Sequence, residues 1–225
     1  MDFKKAIKIS LLLALCLFLI HIIGIWSKFD LSFLGIYPRK ISGLYGIFTA
    51  PFIHGNWQHL YSNIPPMIAL VTLLFYFHQK IAVKTFLGIW FLSGIFVWIF
   101  ARQVYHIGFS GILYGLVAFV AWNGIFRRDI KSIALSLIIL IYFGGMIVGI
   151  LPGQEKISWE SHLLGGMAGV IISFFTRNED IPSNHESMEE EGEEYFLDRD
   201  TFKPSRNSFL HTFSEVFFWQ RKFYF

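Results

Sequence analysis

Three short stretches hold side chains whose types and spacing could do chemistry. In "HIGFSGILYG" (106–115) one serine, Ser110, stands between glycines where an apolar run begins. In "HGNWQHLYSN" (54–63) His59 and Asn63 are four residues apart, which puts them on one face of a helix, and His54 lies just before it. In "SWESHLLGGMAG" (158–169) His162 opens a further apolar run. A serine hydroxyl becomes a nucleophile when a base takes its proton, and histidine is the usual base. Acyl transfer also needs donors aimed at the oxyanion that develops. A serine that opens a helix sits among free backbone N–H groups at the positive end of the dipole, and His59 and Asn63 can both donate from one face. One base, one nucleophile and two side-chain donors are thus available together.

Plainer readings compete with this one. A serine beside glycine in an apolar helix is usually a packing residue, and a lone histidine at the end of such a run is usually interfacial; His21, His78 and His106 are read that way. Zinc hydrolysis would suit several histidines, but no H-E-x-x-H occurs in the apolar runs. The soluble hydrolase elbow G-x-S-x-G fails because Ile112 occupies its last position. No cofactor and no metal site is expected.

The elements that must position these residues are membrane helices. The chain has 225 residues, 54% of them hydrophobic, with a mean hydropathy of +0.52, too apolar for an ordinary soluble domain. Six apolar runs, at about 7–26, 59–77, 85–101, 108–123, 133–151 and 161–175, have lengths near those that cross a bilayer as helices. The fourth and sixth are short and glycine-rich, as suits helices buried among others. Gly111 and Gly115 form a G-x-x-x-G pair in the fourth, and Gly165 and Gly169 form another in the sixth; small residues at this spacing let backbones approach closely. Tyr114 follows Ser110 by one turn on the same face. Pro65 and Pro66 remove two backbone donors from the second run and are expected to kink or locally open it.

The formal charge of +3 hides an asymmetry: residues 1–177 hold fourteen Lys/Arg against five Asp/Glu, whereas the tail holds five against eleven. That pattern speaks of membrane orientation, not nucleic-acid binding. Lys4, Lys5 and Lys8, then Lys80 and Lys84, then Arg127, Arg128 and Lys131 fall on one side of a six-span chain, the cytoplasmic side by the positive-inside rule. Both termini are therefore expected in the cytoplasm, although the long first outer loop also carries Lys28, Arg39 and Lys40. The first run is too long for a signal peptide core and lacks a cleavage site, so it is read as a retained span. The loop is aromatic (Phe29, Phe33, Tyr37, Tyr45, Phe48, Phe52), which favours the headgroup level. Cys16 is the single cysteine, so no intrachain disulfide forms. Residues 1–177 are read as the membrane domain. Residues 178–225 are read as an acidic, disordered cytoplasmic tail ending in an aromatic segment that could rest on the inner membrane surface.

At these residues the sequence resembles the rhomboid family of intramembrane serine proteases. "GFSG" matches its G-x-S-G, "HLYSN" its H-x-x-x-N, and "HLLGGMAG" its H-x-x-G-x-x-x-G, in order and on the right runs. The resemblance implies an all-α membrane protein, a six-transmembrane-helix rhomboid-like bundle with a long first outer loop. It further implies Ser110 as nucleophile, His162 as general base, and Tyr114 stacked on that histidine. His59, Asn63 and the Ser110 N–H would form the oxyanion site, and His54 would support the loop. Gly108, Gly111, Gly115, Gly165 and Gly169 would allow close helix contact. Substrates would be single-span membrane proteins cut near the outer face of the plasma (inner) membrane, with lipid as the surrounding partner and no nucleic acid involved. The Trp-Arg pair common in the family's first loop is absent; Tyr45 and Gly46 stand about where it would fall. A catalytically inactive relative that binds membrane clients is the main rival, and a transporter or structural protein with polar residues as glue is a third class.

Overall fold

A computed structural model of the chain describes residues 1–152 and 158–179. The expected acidic tail and its aromatic end lie outside the described residues from 180 onward. The described part is all helical: α1 (Phe3–Ser27), a one-turn α2 (Gly46–Thr49), α3 (Trp57–Phe77), α4 (Ala82–Phe100), α5 (Ser110–Arg127), α6 (Ile130–Phe143) and α7 (Trp159–Thr176), with short 3-10 turns between some of them.

Polar punctuation sets the ends. Asn56 caps α3 by accepting from the His59 N–H at 2.8 Å, and Asp129 caps α6 by accepting from the Ser132 N–H at 2.9 Å. Lys28 and Arg128 close α1 and α5 in the left-handed conformation, with φ of 56° and 59°. Two expectations need correction. Helix α3 runs unbroken through Pro65 and Pro66, so it does not open there. The carbonyls that lose their donors belong to Tyr61 and Ser62, both exposed residues. The fifth apolar run is helical as α6 only to Phe143 and then tightens into a 3-10 stretch, Gly144–Ile150, where Gly144, Gly145 and Gly149 weaken the α-helical preference.

Among the described residues, five stretches are long and apolar enough to cross a membrane: Phe3–Ser27, Trp57–Phe77, Ala82–Phe100, Ser110–Arg127 and Ile130–Ile150. The sixth expected span, α7, does not reach that standard. Its first turn carries Glu160, Ser161 and His162, and its middle is glycine, so its mean apolarity falls. It sits against α4 and α5, a place where little apolar surface is needed.

Helix α7 runs parallel to α5, and both have 18 residues. A Cβ on Gly165 would strike the Gly111 carbonyl, one on Gly169 the Gly115 carbonyl, and one on Gly115 would lie 3.0 Å from the Gly165 carbonyl. Each helix therefore offers glycine to the other's backbone. A separate seam joins α1 to α3: Leu17 is fully buried on α1, Phe18 and His21 pack against Trp57, and Phe3 stands edge-on to Tyr76. A buried hydrogen bond at 2.8 Å links Ser10 to Thr72 across it.

Side chains donating to backbone carbonyls help to hold the segment between α1 and α3. Tyr45 donates to the Phe33 carbonyl at 2.6 Å, Trp90 to Ile47 at 2.6 Å, and Trp98 to Lys40 at 2.9 Å. Arg39 donates to the Ala101 and Ile99 carbonyls at 2.7 and 3.1 Å. Tyr45 is thus an anchor at the place where the family's Trp-Arg pair was missed. Phe29, Phe33 and Phe48 remain exposed.

Candidate active site

Ser110 is the first residue of α5 and His162 the fourth of α7. Glycine contact between these helices brings the Ser110 hydroxyl to 2.8 Å from His162 Nε2. His162 Nδ1 lies 2.9 Å from the Gly149 carbonyl, which can only accept. The proton of a neutral His162 therefore sits on Nδ1, and Nε2 presents its lone pair to the Ser110 O–H. The Tyr114 ring stacks on the imidazole with centroids 4.1 Å apart and planes 7° from parallel. Its hydroxyl donates to the Met146 carbonyl at 2.7 Å. The 3-10 stretch 144–150 thus holds both rings by backbone carbonyls. Gly149 has to be glycine for this, because a Cβ there would run into the Tyr114 hydroxyl and come within 3.2 Å of His162 Nδ1.

His59 reaches the same place from α3. Its Nε2 packs over Gly108, where a Cβ would lie only 2.7 Å away, and Gly108 itself has φ of +108°. Both facts demand glycine at 108. The Gly108 N–H donates to the Ala50 carbonyl at 2.9 Å, which fixes the turn entering α5. Asn63, buried one turn beyond His59, donates one amide hydrogen to the His59 carbonyl at 2.7 Å. Its amide has a second hydrogen, which makes only a long 3.5 Å contact to Ser62 Oγ. The Ser110 N–H, at the first position of its helix, has no intrahelical acceptor.

His54 does not touch the serine. Its buried ring stands edge-on to His59, centroids 4.9 Å apart. Burial, and then the neighbouring His59, push its pKa down to about 3, so it is a neutral packing group. The structure therefore brings together Ser110, His162, Tyr114 and His59, places Asn63 just behind, and sets His54 one ring further out. Gly111, Gly115, Gly165 and Gly169 line the helix contact.

The interfacial reading of three histidines is corrected. His21, His78 and His106 are 7, 3 and 2% exposed. His21 packs edge-on to Trp57 at 4.6 Å and His78 to Phe119 at 5.3 Å; ring packing against an aromatic outweighs the headgroup preference there. His106 belongs to a polar cluster described below. The residues missed altogether are Gly149 and the Met146 carbonyl. The only trace of them in the sequence is the glycine-rich "GGMIVGI", since a backbone acceptor leaves no side-chain signal. Among the described residues no group of three or more His, Cys, Asp or Glu could hold a metal ion.

Comparison with known proteins places this chain in a family. The profile of the rhomboid domain matches residues 42–179. An uncharacterized protein of Mycobacterium tuberculosis is 34% identical over 167 residues, covering 70% of this chain and 70% of its own. One of Mycobacterium bovis matches to the same extent. An uncharacterized protein of Mycobacterium leprae is 29% identical over 167 residues, covering 70% of this chain and 66% of its own. With the family's domain across more than half of its length, and with helices built to cross a bilayer, this chain belongs to the rhomboid family of integral membrane proteins.

Proposed function

We propose that the protein is an intramembrane serine endopeptidase working by a Ser110–His162 dyad. The observation that carries this reading is the 2.8 Å contact from Ser110 Oγ to His162 Nε2, with Nδ1 held by the Gly149 carbonyl. In the reaction Ser110 Oγ attacks the scissile carbonyl as its proton passes to His162 Nε2. The oxyanion takes hydrogen bonds from the Ser110 N–H, His59 and the second Asn63 amide hydrogen. The imidazolium then protonates the leaving amine, and water, deprotonated by the same nitrogen, releases the acyl group. The Gly149 carbonyl does part of what an acid does in a triad, since it sets tautomer and ring orientation. Having no charge, it stabilises the imidazolium less.

The substrates are single-span membrane proteins, cut near the outer face. Helix α7 serves as the sixth span: it matches α5 in length and runs parallel to it, and 18 residues of helix extend about 27 Å. Both termini lie in the cytoplasm and the chain in the plasma (inner) membrane, a reading supported by the basic loops falling on one side of six spans. Residues 1–177 form the catalytic domain and 178–225 a cytoplasmic tail.

The test is cleavage of a single-span substrate by purified protein in liposomes. Ser110→Ala and His162→Ala should each lower kcat by about 10⁴-fold or more, and a fluorophosphonate should label wild type but not Ser110→Ala. The wild-type rate should rise with pH between about 5 and 8, because only neutral His162 can accept the proton. Equal cleavage by wild type and Ser110→Ala sinks the reading. A wild type that binds membrane clients without cutting them supports the inactive relative instead.

A further inference from the structure

Close to the dyad lies a second polar cluster. His106 is fully buried in the loop between α4 and α5. Its backbone pairs with Ile36 through two hydrogen bonds, each 2.9 Å, which tie this loop to the outer segment. Its Nε2 lies 3.0 Å from the Arg102 carbonyl. A carbonyl only accepts, so Nε2 carries the proton, and Nδ1 is free to accept. It does so from the Ser158 hydroxyl in a short hydrogen bond, with Ser161 Oγ 3.3 Å away. Ser158 and Ser161 are themselves 2.7 Å apart. Every proton in the chain is then accounted for: Ser161 donates to Ser158, Ser158 to His106, and His106 to Arg102. Burial holds the His106 pKa below its ordinary value, which suits this neutral state.

Ser158 is the residue at which α7 starts, yet its side chain caps none of the helix's own N–H groups. An N-cap serine normally does. Here the hydroxyl is spent on a residue of another segment. Two residues later, buried Glu160 receives Arg102 Nε at 3.1 Å. The Ser161 carbonyl lies where a Cβ on Gly111 would come within 3.2 Å. The start of α7 is thus held at Ser158, Glu160 and Ser161, and His162 is the next residue. On the other side, His106 precedes Ser110 by four residues.

We propose that His106, Ser158, Ser161 and the Arg102–Glu160 pair act as positioning residues that set His162 against Ser110. The proposal rests on the dyad reading. One imidazole spans both halves of the site, from the loop that delivers the nucleophile to the turn that delivers the base. None of the five touches the reacting atoms. Their effect is on distance: a misplacement of about 1 Å costs on the order of 10²-fold in rate.

The test uses the full chain in liposomes. Ser158→Ala, the mildest variant, should lower kcat by about ten- to a hundredfold with KM near the wild-type value. It should slow fluorophosphonate labelling of Ser110 by a similar factor, at an unchanged unfolding midpoint. Ser158→Thr keeps the hydroxyl and should return activity to within about threefold of wild type. Glu160→Gln should act like Ser158→Ala, and His106→Ala should act more strongly where it folds. Should His106→Ala not fold, the Ser158 pair decides. Wild-type kcat and labelling in Ser158→Ala and Glu160→Gln overturn the proposal, as does a loss seen only in KM or one that follows the unfolding midpoint. Those results leave the dyad standing as long as wild type cleaves and Ser110→Ala does not. A wild type that fails to cleave overturns the dyad reading, and this proposal with it.

Discussion

Two helix seams in this molecule solve the packing problem in opposite ways. Along α1 and α3 the contact is made by side chains: Leu17 is fully buried, Phe18 and His21 pack against Trp57, and Phe3 stands edge-on to Tyr76. Along α5 and α7 there is almost nothing to fill, because Gly111, Gly115, Gly165 and Gly169 let each backbone meet the other. Lipid gives no hydrophobic drive for helices to associate, so both seams rely on van der Waals fit and buried hydrogen bonds. The difference lies in what each seam must deliver. A side-chain seam tolerates small shifts through rotamer changes, whereas a backbone seam holds one separation. Only the second holds a serine and a histidine on different helices 2.8 Å apart.

The sharpest way to break this contrast is Gly165→Val. Its Cβ would meet the Gly111 carbonyl, which is backbone and cannot swing aside. Cleavage should fall by about 10²-fold or more, and the loss should exceed any change in substrate affinity when kcat and KM are measured separately. Leu17→Ala in the other seam is the counterpart. It should cost about 2–5 kcal/mol in unfolding experiments while kcat in the folded fraction stays within about threefold of wild type. A Leu17→Ala enzyme with a collapsed kcat would show that the two seams are not separable.

Beside one end of the α1–α3 seam, His54 makes stability depend on pH. Folded, it binds a proton only near pH 3; unfolded, it does so near its ordinary value of 6.5. The stability from keeping it neutral is complete above that value and is lost as pH falls toward 3, because the unfolded state takes up the proton first. Unfolding midpoints measured from neutral pH downward should drop less steeply for His54→Gln than for wild type. Parallel curves would remove His54 from this account. The smallest expected effect is Ser10→Ala, which removes the hydrogen bond to Thr72. Thermal unfolding should report a loss of about 0.6 kcal/mol, with activity untouched.

Much of the site was legible because its chemistry sits in side chains at regular spacing. Ser110, His59, Asn63 and His162 each stand at or near the beginning of an apolar run, and the two G-x-x-x-G pairs mark the helices that touch. Helix α7 was legible as an apolar run, yet it falls short of the apolarity of the five other long stretches, as a helix set against α4 and α5 needs less of it. His106 was misread because a histidine near a span end looks interfacial until its partners are known. Those partners, Ser158 and Ser161, lie 52 and 55 residues away in the chain. The continuity of α3 through two prolines was also not readable, because proline is locally a helix-breaking signal.

By itself the sequence determined the membrane helices, the polar residues at their ends and the glycines that permit close approach. Those follow from local patterns of apolarity and residue size. Only the tertiary structure decided which nitrogen of His162 faces Ser110, because that depends on the Gly149 carbonyl. It also decided that His106 is interior and that the start of α7 is fastened to the loop before α5. A backbone acceptor has the same chemical identity at every residue, so no sequence pattern can announce where one will be used.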